Sequence, residues 1–483
     1  MKKVTTNYIF VLLYQVLLII TPIFTMPYVI RVLMPENVGI EAYVSSIVQI
    51  FTAFATLGMG DYGRKVIASV IRKQDLKVEF YSLYLVQSCF SVIVLLIYLI
   101  FAFHTSQYQL LFFINILTIL SYVFDITWFY TGQENMKNIM IRNMAVRLSA
   151  MIGIFCFVKG PEDLAVYVWI NATTLLLGQL VTWLPLLRKW KGFAYQWVKV
   201  KKHVIPVMTF AIVPIITLIP LALNKVILGN ITSAMDVGFY NQAFKLMTLF
   251  VVFVTALSTV MSPRMVKQYN GAKKEDFERS MYFSFRYVAL STLPLVTGLI
   301  AVAPLFIPLF LGGDFRPSIL HLQILSPSLF FSGLAGIFGL QILVTTGKNK
   351  SYSLSVLIAS FISFATNIVF IRLWGGYGTA LSYITFTFIT CVLQAYFSRK
   401  YFSIRKMIQQ ILPYVLASLL AFMFEVAIMH MLTAVRVVFI IIAQIVVGGI
   451  IYFGILLLFR DPLLVKIGQI LQSKISHKKQ KGR

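Results

Sequence analysis

The sequence predicts an all-α, polytopic membrane protein with about fourteen transmembrane helices, and three observations carry that prediction. First, 59% of the 483 residues are hydrophobic and only 12% are charged, with a mean hydropathy of +0.85. No water-soluble domain needs that much apolar surface. Second, the apolar residues come in runs, and at about 20 residues per crossing they suffice for roughly fourteen spans. Third, the basic residues alternate between loops. Of 42 lysines and arginines, 35 fall on the side of the N-terminus and five (Arg31, Lys159, Arg316, Arg372, Arg436) on the other, leaving Lys225 and Lys245 within spans.

Taken in order, the chain opens with a charged Met-Lys-Lys and an apolar run, superficially like a signal peptide. It lacks a small-x-small cleavage site and stays apolar through Tyr28 to Leu33, so it reads as a retained first span, 7–33. Spans at 38–60, 79–103, 109–131, 138–158 and 164–187 complete a first group. A second group follows at 205–229, 237–261, 283–311, 318–345, 352–373 and 377–397, and a further pair at 411–431 and 435–459. The longer inner loops, 62–78, 188–204 and 262–282, mix charge with aromatic residues and read as helices lying in the membrane interface. The outer loops are short and leave no room for an extramembrane domain.

The two groups share a grammar. Pro22 and Pro27 interrupt the first span, Pro214 and Pro220 the seventh, and AMDVGFY (Ala234–Tyr240) echoes PENVGIEAY (Pro35–Tyr43). Proline removes a helical hydrogen bond and clashes with the preceding turn. The echo suggests an N-terminal six-helix bundle, 1–204, a second bundle, 205–400, and a remainder, 401–483, made of two added helices and a basic tail. Proline-broken segments at matching places in two halves mark the binding region of a transporter.

The charge alternation places both termini in the cytoplasm of a multi-pass cell-membrane protein. A net charge of +26 raises the possibility of nucleic-acid binding, but the basic residues sit in short loops between apolar spans. Positive-inside topology and contact with anionic membrane lipid account for them, and no nucleic-acid partner is expected. Cys89, Cys156 and Cys391 all lie within spans, where they read as packing residues rather than a disulfide. The five histidines have no ligand spacing, so neither metal nor cofactor is expected. There is no phosphate-binding loop, Gly-x-Ser-x-Gly or His/Cys/carboxylate cluster, which argues against an enzyme or an ATP-driven pump.

Charges inside spans are functional candidates by default. Lys225 follows the Pro220 break; Lys245 shares a helix face with Asn241 and Gly238; Arg31 has Tyr28 and Phe24 on its face. Three cations without matching carboxylates are balanced by a bound anion, and a pyrophosphate suits. The alternative is that they snorkel to the headgroups. Asp125, Trp128, Phe129 and Gly132 fall on one stripe of the fourth span, an acid beside aromatics as in a sugar platform. The same stripe also reads as helix packing, with Asp125 paired to Arg147 or Asn143. Glu134, Arg142 and Arg147 follow at the cytoplasmic end, as cargo contacts or as solvated charge. Glu425, alone in the thirteenth span, reads as a proton-coupling carboxylate or as the partner of a neighbouring polar group.

Two blocks carry a family resemblance. In Met26–Ala68, Pro27, Tyr28, Arg31, Leu33, Gly39, Leu57, Gly58, Tyr62, Gly63 and Arg64 match the opening of bacterial polysaccharide repeat-unit flippases. Met34 stands where that pattern has glycine. Trp128, Phe129, Gly132 and Glu134 match the family's Trp-Phe-x-x-Gly-x-Glu stretch. The chain thus resembles the polysaccharide (oligosaccharide or teichoic acid) flippases of the multidrug/oligosaccharidyl-lipid/polysaccharide exporter superfamily. The resemblance implies two bundles plus two helices around a cavity open alternately to each side. It also implies a polyprenyl-pyrophosphate-linked glycan as cargo, carried by a monomer or by a chain working with other polysaccharide assembly proteins. Competing readings are a drug/cation antiporter, which needs an acidic cavity, a lipid II flippase of the same superfamily, and a membrane glycan polymerase or ligase, which needs an outer catalytic loop.

Overall fold

The computed structural model describes residues 2–465, apart from 191, 193, 272, 273, 433 and 434. The basic tail ending HKKQKGR lies outside the described residues. Among those described, the chain is helical and contains no strand. The chain divides into two compact units, Met1–Gly238 and Phe239–Arg483.

The first unit contains α1 (Lys2–Thr56), α2 (Met59–Ser69), α3 (Lys73–His104), α4 (Gln109–Val123), α5 (Thr127–Gly132), α6 (Met136–Phe157), α7 (Leu164–Lys189) and α8 (Trp197–Ile231). It ends within the first turns of α9 (Ala234–Asn270). α8 packs on α1, α2 and α3, so the boundary expected at 204/205 falls inside this unit. Its core is an aromatic cluster in which Phe80, fully buried, meets Trp128, Phe129, Trp183 and Trp190.

The second unit holds the rest of α9 with α10 (Lys274–Phe310), α11 (Ser318–Leu325), α12 (Ser328–Gly336), α13 (Asn349–Trp374), α14 (Gly376–Ser398), α15 (Ile404–Met431) and α16 (Val437–Leu458). The added pair α15–α16 packs on α10, around Phe285, Tyr414 and Tyr452. α13 and α14 form a tight hairpin. Their serines 363 and 382 hydrogen-bond across it, and a Cβ on Gly378 would lie 2.1 Å from the Phe370 carbonyl oxygen. Small residues allowing close backbone approach are how helices associate without a hydrophobic driving force.

All fourteen expected spans fall on helices, but among the described residues eleven segments are long and apolar enough to cross a bilayer by length and composition. The first two expected spans form one run, Ile20–Ser69, and the seventh is present as the shorter apolar stretch Leu218–Ile231. The eighth lies on α9, part of whose side chains fall outside the described residues. The outward faces are apolar, as lipid contact requires: Ile100 is 62% and Phe103 66% exposed.

Three expectations are corrected in detail. The helix passes through Pro22 and Pro27 and breaks instead at Met34 (φ 67°, ψ 163°), just before Pro35. Proline drives the residue preceding it out of helical φ/ψ, whereas in lipid, serine and threonine hydroxyls help satisfy backbone groups at an internal proline. Pro22 and Pro27 free the carbonyls of Leu18 and Ile23, and beside them Thr21 and Thr25 donate to the carbonyls of Leu17 and Thr21 at 2.8 and 2.9 Å, back-bonds of the kind that accompany helix bending. Likewise α8 is helical through 214 and 220. Second, among the described residues only α2 forms a separate helix; most of the other two inner loops is absorbed into α8, α9 and α10. Third, Cys391 is buried but Cys89 and Cys156 are exposed.

Candidate functional site

The break at Met34 begins the site. After it, α1 resumes with Pro35, and its next turn meets the start of α9 backbone to backbone. A Cβ on Gly39 would lie 1.7 Å from the Ala234 carbonyl oxygen, and one on Gly238 would lie 2.6 Å from that of Pro35. The two echoing segments therefore touch, each through its glycine. One turn on, Tyr43 donates to Asn230 Oδ1 at 2.7 Å, and Gly229 leaves room for its ring, which a Cβ would approach to 2.5 Å.

Two of the candidate cations belong to the first unit. Arg31, just before the break, is exposed, and Lys225, in the last turns of α8, is half-buried beside the buried Asn224. Tyr28 is committed elsewhere: its hydroxyl donates to the Val158 carbonyl at 2.7 Å, and its ring lies 4.6 Å from that of Phe155. It ties α1 to the end of α6. In the second unit, Asn241 is 1% exposed, with no partner for its Oδ1 among the described residues. Lys245, one turn later, is exposed.

The expected sugar stripe is not one helix face. The backbone leaves the helix between Val123 and Thr127, and Asp125 caps α5 by accepting from the Thr127 amide at 2.9 Å and from its hydroxyl. Trp128 is 2% and Phe129 1% exposed. The Trp128 indole N–H donates to Gln87 Oε1 at 2.7 Å, while the Gln87 amide donates to the carbonyls of Tyr122 and Asp125. Gly63 packs against the indole, where a Cβ would lie 2.8 Å from the ring, and Gly132 packs the same way on Ile67. Trp128 thus presents no open ring face; the two family blocks interlock as the α2–α5 joint. Glu134 is exposed at positive φ, and Arg147 is half-buried on α6. Arg142 bonds Asn143 and Gln179, and among the described residues Asp125 forms no ion pair with Arg147.

Glu425 is 6% exposed. A Cβ on Gly448 would lie 1.9 Å from its Oε1, so α16 reaches the carboxyl only because that position is glycine. Its Oε2 has no hydrogen-bond partner among the described residues. Gln444 donates to the Glu425 backbone carbonyl at 2.9 Å.

A network absent from the sequence reading joins α2, α3 and α8. Glu79 accepts from Lys199 and His203, both at 2.9 Å, and His203 Nδ1 meets the Tyr62 hydroxyl at 2.8 Å. Its members are separated by up to 141 positions, so no local spacing announces it.

Residues 4–268 match the family described as polysaccharide biosynthesis protein. A Shigella dysenteriae protein described as "Putative O-antigen transporter" is 20% identical over 380 residues, covering 77% of this chain and 94% of that one. Among solved structures, the lipid II flippase MurJ in an inward closed conformation superposes with a TM-score of 0.74 at 16% identity, covering 94% of this chain and 100% of that one. An inward-facing multidrug resistance MATE family transporter of the MOP superfamily gives 0.59 at 12% identity, covering 81% and 95%. With its family match spanning more than half the sequence and its helices following those transporters, the chain belongs to the polysaccharide biosynthesis protein family, as a multi-pass membrane protein on the MOP superfamily fold.

Proposed function

We propose that this protein moves a polyprenyl-pyrophosphate-linked oligosaccharide, of the repeat-unit or teichoic acid type, from the inner to the outer leaflet of the cell membrane by alternating access. Both termini lie in the cytoplasm. The observation that carries the reading is the alignment with the Shigella dysenteriae protein described as "Putative O-antigen transporter" over nearly all of that protein's length. The chemistry is consistent: moving a charged diphosphate and its sugars through hydrocarbon requires replacing their hydration. Arg31 and Lys225, both in the first unit, are the cations that receive the diphosphate; Lys245, in the second unit, is a further candidate contact for the cargo. Glu425 is the coupling group: its carboxyl is buried against Gly448, with no charged partner among the described residues, and a carboxyl so placed is a functional candidate. No bond is made or broken in the cargo, so the protein is a carrier rather than an enzyme.

The test is reconstitution in liposomes with a fluorescent polyprenyl-pyrophosphate oligosaccharide, lipid II and a cationic dye as competing cargoes. Lipid-linked oligosaccharide is expected to reach the far leaflet with no new glycosidic bond. Preference for lipid II or the dye would replace this reading with one of the two same-fold alternatives. Lys225→Ala and Lys245→Ala should each lower transport by about tenfold or more, the loss expected for a charge-assisted contact. Full activity in both variants would remove the cationic mechanism.

A further inference from the structure

The first unit contains a cavity of about 610 Å³ between α5, α6 and α7, within the range of small-molecule pockets. Its inner wall is buried, formed by Tyr130, Ile139, Gly178 and Thr182, and its rim is apolar and exposed at Ile141, Leu177 and Val181. That rim lies on Ile139–Phe157 and Pro161–Arg188, both apolar enough to span a bilayer, so a ligand passing it must partition into lipid.

The lining carries one charged side chain, Arg142. Its guanidinium donates to Gln179 Oε1 at 2.7 Å, and to Asn143 Oδ1 from Nε at 2.9 Å and again from Nη2. These acceptors are neutral amides. Among the described residues no carboxylate pairs with it, and Asp125 acts on it only from beyond ion-pair distance. Three of its five N–H groups are thus placed, leaving donors for a further acceptor. A positive charge held in apolar surroundings by amides alone is poorly balanced, and a phosphate matches the guanidinium fork. From Arg142 the lining follows α6 to Ser149, about 10 Å at 1.5 Å per residue, past Ala145 and Val146 and opposite Leu177 and Val181. That track suits a hydrocarbon chain.

We infer that this cavity holds one anionic phosphodiester lipid of the surrounding bilayer, with its phosphate at Arg142 and one chain along the α6–α7 track. The lipid is resident and separate from the transported glycan.

Native mass spectrometry and thermal unfolding of the full-length protein test this, with phosphatidylglycerol, phosphatidylcholine or inorganic phosphate added. Phosphatidylglycerol is expected to remain bound and raise the unfolding temperature, with little effect from the other two. Arg142→Gln should weaken phosphatidylglycerol binding by about tenfold, and Arg142→Lys should restore part of it. Ala145→Phe, which fills the cavity and leaves Arg142 in place, should exclude the lipid. Equal binding of both lipids overturns the inference, as does equal stabilisation by inorganic phosphate, which would mean a free-anion site. So does undiminished phosphatidylglycerol binding in Ala145→Phe, the deciding variant should Arg142→Gln fail to fold.

Discussion

Met34 occupies a backbone region in which side-chain-bearing residues are strained, at φ 67° and ψ 163°. Such a conformation stores about 1–3 kcal/mol. Its side chain is 42% exposed, so little packing compensates. Met34→Gly is therefore expected to raise stability by about 1 kcal/mol, strain relief exceeding the roughly 0.5–1 kcal/mol entropic penalty of glycine. Thermal unfolding in detergent measures it, and a lower midpoint would show that the methionine contributes more than its strain. Residue identity was misleading at Trp128 and Asp125. The spacing that puts both on one helix face holds only if the helix continues, and the backbone leaves it at Phe124 so that Asp125 can cap the next turn.

Between elements, the governing contacts are made by glycines. Gly39 and Gly238 bring α1 and α9 together, Gly63 seats Trp128, and Gly58 (φ 69°) admits the α8 backbone at Phe210, which a Cβ would approach to 2.4 Å. Gly39→Ala must push α9 away or shift α1, because the atom it meets is backbone. An overpacked contact of this kind costs about 1–3 kcal/mol. The variant should unfold at lower temperature and transport more slowly; wild-type behaviour in both assays would mean that the α1–α9 contact opens freely. These glycines were legible as motif positions, but the partner of each comes from a segment remote in sequence.

At the scale of the whole molecule, the added pair α15–α16 is part of the second unit's core through α10, and it delivers Glu425 to an interior position. Glu425→Gln keeps the shape and removes the ionisable group. It should leave the unfolding temperature unchanged or higher and flatten the dependence of transport on a proton gradient. Liposomes with an imposed pH difference read this directly, and gradient-driven transport at the wild-type rate would exclude Glu425 from coupling.

The membrane class, the order of the spans and the kinship of the chain were all decided by local patterns: apolar runs of crossing length, basic loops alternating with neutral ones, and two motif blocks. These survive any tertiary arrangement because partitioning into a bilayer acts on each segment's own composition. What only the folded chain decided is where each polar side chain ends up. Tyr28 is tied to Val158, Trp128 is locked by Gln87, His203 is joined to Glu79 and Tyr62, and Arg142 stands among amides at an apolar cavity. Each depends on helices distant in sequence approaching within hydrogen-bond distance, and periodicity along one helix carries no information about its neighbour.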